Sequence, residues 1–196
     1  MSLSKGNSIR LAHNYTSIVQ SMVNRLFMWL PEYRNCQFII ICIGTDRSTG
    51  DSLGPLTGSI LKKHKLRHLT IYGTLHEPVH ALNLESHLTT IEQTYDNPFI
   101  IAIDACLGKI SSVGDIIAGK GSILPGAAVD KQLPAVGDMY LTGVINVSGF
   151  LEYTVLQSTR LSLVVDMAKT IAEIVVAIDR QLTYQEFKAT FGKRVL

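Results

Sequence analysis

Two segments constrain this chain more than any others. QFIIICIG (37–44) and PFIIAIDACLG (98–108) are nearly unbroken apolar runs that close on a glycine, each with an acid at or just beyond its carboxyl end. Both are far shorter than the roughly 20 apolar residues that cross a bilayer. Neither shows the alternation of a half-exposed strand, so they read as strands covered on both faces, which belong in parallel sheets flanked by helices.

The remaining pattern supplies those helices. Ile18, Val19, Met22, Leu26, Phe27 and Leu30 recur at helical spacing and predict a helix from about Thr16 to Leu30, stopped by Pro31. A second helix is expected after TDRSTGDS as far as about Lys65, then a short strand in HLTIYGTL, and a third helix around Leu82 to Glu92. Between Val113 and Val147 the segments GDIIAG, GSILPG and DMYLTGVINV, broken by Gly and Pro, predict hairpins or an antiparallel edge. Val164, Val165, Ala168, Ile171, Ile174, Val175 and Ile178 mark the inward face of a last helix from Leu161 to Leu182. No repeat or linker divides the series. The expected fold is therefore one α/β domain over residues 1–196, a three-layer α/β/α sandwich with a mostly parallel sheet.

Composition agrees. Charged residues make up only 17% against the ~25% usual for soluble domains, and 46% are hydrophobic, so the chain buries a large core and is no disordered tail. A net charge of +2 offers no general electrostatic case for nucleic acid or an anionic membrane. The first residues, MSLSKGNSIRLAHN, lack the apolar stretch of a signal peptide, and Cys36, Cys42 and Cys106 form no CxxC. Both point to a cytoplasmic protein whose cysteines are apolar fillers.

In open parallel sheets ligands bind outside the carboxyl ends of the strands, where strand order reverses. The loops after Ile43 and Ile103 fall there, and both carry aspartates. GTDRSTGDS (44–52) lies between a strand and a helix, as a phosphate loop does, but Asp51 stands where that loop needs lysine and would repel a phosphate. Nor is there a GxGxxG. Asp51 has a structural reading as an N-cap, but Gly54 and Pro55 put the helix start near Pro55 and leave Asp51 upstream in the loop. Asp46 is a second acid in that loop. Asp104 is expected to end its strand, where a carboxylate is costly unless hydrogen-bonded, metal-bound or functional. Two carboxylates meeting at this edge would share a proton and activate water.

HEPVH (76–80) matches the zinc-peptidase pattern HExxH, but Pro78 lies where that helix needs an interior N–H, so Pro78 is expected in the first turn of the helix that follows. Tyr72, His76 and His80 follow a strand at the same sheet edge and are expected to line the cleft with Asp46. Cys106 is read as filler rather than nucleophile. Phe27, Met28, Trp29 and Leu30 in succession exceed what one helix face can bury and point to self-association.

IIICIGTDRSTGDSLGP followed by PFIIAIDACLG resembles the paired-aspartate core of the bacterial germination protease, an atypical aspartic endopeptidase that degrades small acid-soluble spore proteins. YyaC-type sporulation proteins resemble the chain over nearly its full length, including ALNLESHL, SILPGAAV and GDMYLTGVINVSG. The resemblance implies a phosphorylase/hydrolase-like sandwich shared with hydrogenase-maturation endopeptidases, with Asp51 and Asp104 as the catalytic pair. It implies a protein or peptide substrate, no cofactor and no resident metal. The nickel-recognising histidine of the maturation enzymes has no counterpart in ACLGKISSVGD. Two alternatives remain open: a non-catalytic peptide- or partner-binding protein on the same fold, and a metal-recognising hydrolase using the same aspartates with His76 or His80.

Overall fold

A computed structural model describes residues 6–32, 36–125, 133–149 and 151–191. The chain begins with strand β1 (Ser8–Ala12) and helix α1 (Ile18–Phe27), then β2 (Gln37–Cys42), α2 (Leu53–Leu61) and β3 (Leu69–Tyr72). It continues with α3 (Leu84–Thr94), β4 (Pro98–Gly108), β5 (Asp115–Lys120), β6 (Met139–Val147), α4 (Glu152–Gln157) and α5 (Leu161–Phe191).

Among the described residues the strands form one six-stranded sheet in the order β1-β5-β6-β4-β2-β3. The pairings β2 with β3, β2 with β4 and β4 with β6 are parallel, whereas β5 with β6 and β1 with β5 are antiparallel. Helices cover both faces. Phe38, Ile40, Cys42, Ile101 and Ile103 pack with α1, α2 and α5, through residues such as Met22, Leu61, Met167 and Ile171. Ile39, Ile41, Ile43 and Ala102 point the other way, onto Leu84 and Ile91 of α3. This double burial is why β2 contains no polar residue after Gln37, each large aliphatic side chain contributing about 1.5–3 kcal/mol when fully buried.

The chain leaves β2 through α2 to β3 on one flank and returns through α3 to β4 on the other. Strand order therefore reverses between β2 and β4, opening a crevice outside their carboxyl ends. Close approach of α2 fixes one wall. A Cβ on Gly54 would lie 2.0 Å from the Ile43 carbonyl oxygen, so the helix sits directly on the end of β2. On the same face α5 is tied down by Asp179, whose buried carboxylate accepts the backbone N–H groups of Arg67 at 3.1 Å and His68 at 2.8 Å.

Several expectations need correction. DMYLTGVINV is no edge: β6 lies inside the sheet, parallel to β4, although its partner β5 is antiparallel as expected. β1 occupies the edge. α1 is shorter than expected, and α5 continues past Leu182 to Phe191. Helix α3 begins at Leu84, so Pro78 is not in its first turn; Val79 instead forms a parallel bridge with Ile43. Of the run from Phe27 to Leu30, Phe27, Trp29 and Leu30 pack against the core and Met28 is exposed. No helix among the described residues is long and apolar enough to cross a membrane.

Candidate active site

The loop after β2 folds back on itself. Gly44 donates its N–H to the Val79 carbonyl at 2.8 Å, and Thr45 donates to the Asp51 carbonyl at 3.1 Å. Gly44 has φ 137°, and a Cβ there would sit 1.9 Å from the Asp51 oxygen, so only glycine permits this closure. Asp51 is thereby held at the strand end in a single 3₁₀ turn, Gly50–Ser52, immediately before α2. Neither that turn nor α2 has a side-chain N-cap bond, so the capping reading of Asp51 does not hold.

Asp104 does not end its strand. β4 runs on to Gly108, and Asp104 sits within it, opposite Thr142 of β6. It is 6% exposed, and its Oδ1 accepts the Ala105 N–H at 2.8 Å. Because side chains alternate along a strand, the continuation places Cys106 on the same face. Asp51, His80, Asp104, Cys106, Tyr140 and Thr142 all line one open cavity of about 1030 Å³, with Ile43, Ile117, Ile123, Leu124 and Leu156 also in its wall.

The two acids affect each other. Burial pushes the Asp104 carboxyl well above its ordinary range and the Asp51 charge pushes it further, against the Ala105 N–H bond. Burial also raises Asp51, opposed by a backbone hydrogen bond from Thr45 and by the field of His80. Burial and the Asp51 charge thus act in the same direction on Asp104 and favour its neutral form. The Cys106 thiol is raised by burial; a Thr142 hydrogen bond lowers it, the Asp104 charge raises it and the Arg10 charge lowers it. A protonated thiol is a poor nucleophile.

Of the residues expected to line the cleft with the two aspartates, His80 does so and three do not. Asp46 and His76 are exposed in their loops and lie outside the cavity wall. Tyr72 is also outside it: at the end of edge strand β3, its hydroxyl lies 3.2 Å from that of Tyr95 and its ring stands edge-on to His87. Burial pushes its hydroxyl up to about 12, with a further rise from the Tyr95 bond. HEPVH is not helical, which separates its two histidines. Among the described residues no three His, Cys, Asp or Glu side chains come together as a metal site.

Other wall residues escaped the sequence reading. Ser48 is 6% exposed, and its hydroxyl has no hydrogen-bond partner among the described residues. Glu152, Tyr153 and Leu156 come from α4, which the sequence did not announce. Cys106 was findable, since period two from Asp104 puts it in the cavity once the strand is allowed to continue.

The sheet and its crevice define an α/β protein with a buried carboxylate, Asp104, and a half-buried one, Asp51, at the switch point between its central parallel strands. The chain belongs to the family described as a protein of unknown function, DUF1256, whose model matches residues 10–174. It is 53% identical over 148 residues to the uncharacterized protein YyaC of Bacillus subtilis (strain 168), a match covering 76% of this chain and 72% of that one. Among solved structures, the NiFe hydrogenase maturation protease HycI from Thermococcus kodakarensis KOD1 aligns with a TM-score of 0.49 and 18% identity, over 74% of this chain and 92% of that one. A likeness that distant says nothing about activity.

Proposed function

We propose that the chain is a peptide-bond hydrolase of the acid-pair type, acting in the cytoplasm of a sporulating cell on small acid-soluble spore proteins or another spore protein. The observation that carries this reading is the pair itself: Asp51 and Asp104 line one cavity, and the charge of Asp51 raises the proton affinity of Asp104. The spore substrate is taken from the sequence resemblance to the germination protease.

Water binds between the carboxyls, and the ionised one takes a proton from it as the oxygen attacks the peptide carbonyl carbon. The neutral carboxyl gives its proton to the carbonyl oxygen, leaving a tetrahedral diol. The acid that received the water proton then protonates the amide nitrogen, the C–N bond breaks, and a diol proton returns to the other carboxyl. Atoms balance, and the pair ends as it began.

The test is incubation of the purified protein with a small acid-soluble spore protein, with fragments read by mass spectrometry, with and without a chelator. Discrete fragments formed equally in both arms support the proposal. Saturable binding without any cleavage would replace it with the peptide-binding reading, and cleavage abolished by the chelator would replace it with a metal-dependent one.

A further inference from the structure

We propose that the cavity selects extended peptide segments that place a bulky apolar side chain two or three residues from the bond that is cut, and rejects acidic side chains there; this substrate class rests on the peptidase reading above. The selecting surface is the part of the sheet face over β6 and β5, and Ile117, Ile123 and Leu124 are its specificity-determining residues.

Strand register places that surface. Asp104 lies opposite Thr142, and Thr142 lies opposite Ile117 of β5, so the three side chains share one face in a row across the sheet. Neighbouring strands are about 4.8 Å apart, which puts Ile117 roughly 10 Å from Asp104. An extended chain crossing the strands covers that distance in about three residues. Beside this row a Cβ on Gly119 would collide with the Tyr140 ring, so that ring lies across Gly119 and paves the sheet. Ile123 adds a fixed part of the wall, since its N–H and carbonyl are both bonded to Val136, at 2.9 and 2.8 Å.

Ile117 has no place in the core. Its neighbours Ile116 and Ala118 belong to the apolar cluster under α5, whereas Ile117 is half-buried and joins neither cluster among the described residues. Around the same cavity Leu82, Leu124 and Tyr153 are 77%, 74% and 58% exposed. Single exposed apolar residues are ordinary, but several converging on one cavity mark a binding surface. At about 1030 Å³ the cavity equals the largest that take drug-sized ligands, so it has room for several residues of a peptide. That peptide must be extended, because a helical segment holds its amide groups in its own hydrogen bonds. Charge separates apolar from acidic side chains. The carboxyls of Asp51, Asp104 and Glu152 outnumber the guanidinium of Arg47 in the wall, so an acidic side chain is repelled. A lysine would have to desolvate its ammonium beside Ile117 and Ile123.

The test is digestion of a randomised decapeptide library by the whole chain, with the cut positions read by mass spectrometry, for the wild type, Ile117→Ala, Leu124→Ala and Leu124→Arg. Leu, Ile, Phe and Met should be enriched, and Asp and Glu depleted, two or three residues from the cut. Ile117→Ala and Leu124→Ala should each raise KM for the preferred peptide about tenfold with kcat little changed. Leu124 is exposed, so its truncation leaves the core intact. Leu124→Arg should bring Glu into the preferred set. Equal cutting of apolar and acidic peptides, or a preference that all three variants leave unchanged, overturns the proposal. If the wild type cuts nothing, the peptidase reading falls on its own, and the same library is scored for bound peptides. Apolar sequences retained by the wild type and lost in Leu124→Ala then uphold the selectivity; bound peptides without apolar enrichment, or no bound peptides, overturn it.

Discussion

Asp104 carries the clearest consequence at the scale of single residues. Its carboxyl is raised when folded and returns to its ordinary range when the chain unfolds, so the folded state binds the proton more tightly. The stabilisation is complete below the ordinary carboxylate pKa and is lost as pH rises through the raised folded value. Melting temperature should therefore fall as pH is increased from about 4, and Asp104→Asn should flatten that slope. A wild-type melting curve indifferent to pH over this range would contradict the burial of an ionisable Asp104. Asp104 was legible in the sequence because it interrupts an apolar run, where a carboxylate is conspicuous, and Asp51 because its loop follows the other apolar run at the binding edge of the sheet. Asp46, Tyr72 and His76 were misjudged for a common reason. Sequence shows which end of a sheet a loop occupies, but not where its side chains point, and Tyr72, one strand beyond the switch point, turns to Tyr95 and His87 instead.

The elements that form the cavity are held by close contacts that single substitutions can test. Gly54→Ala would drive a methyl group into the Ile43 carbonyl, which is backbone and does not swing aside. It should cost at least about 1–3 kcal/mol by overpacking, read as a lower urea midpoint. Asp179→Ala should cost about 1–3 kcal/mol, because the amides of Arg67 and His68 lose their acceptor while partly buried. A loss under about 0.5 kcal/mol in either variant would show that the contact is not needed to seat α2 or α5. β2 and β4 could be read directly because double burial leaves an unbroken apolar signature. β6 could not: Thr142, Gly143 and Asn146 interrupt its pattern, since Thr142 faces the cavity and Gly143 makes room for Leu53 and Met167. These interruptions hide its central place. β1 alternates partly buried and exposed residues over five positions, too short a pattern to stand out from the polar residues around it.

At the scale of the whole molecule the layers followed from the apolar strands, but the site depended on pairing. A parallel β4–β6 pair inside the sheet, rather than an antiparallel edge, brings Tyr140 and Thr142 beside Asp104, and α4 then supplies the wall over Asp51. The most direct measurement is the rate at which a small acid-soluble spore protein is cleaved by the wild type, Asp51→Asn and Asp104→Asn, each first shown to be folded. An acid-pair hydrolase predicts defined fragments from the wild type and a loss of at least about 100-fold in each variant; cleavage at the wild-type rate by either would contradict it.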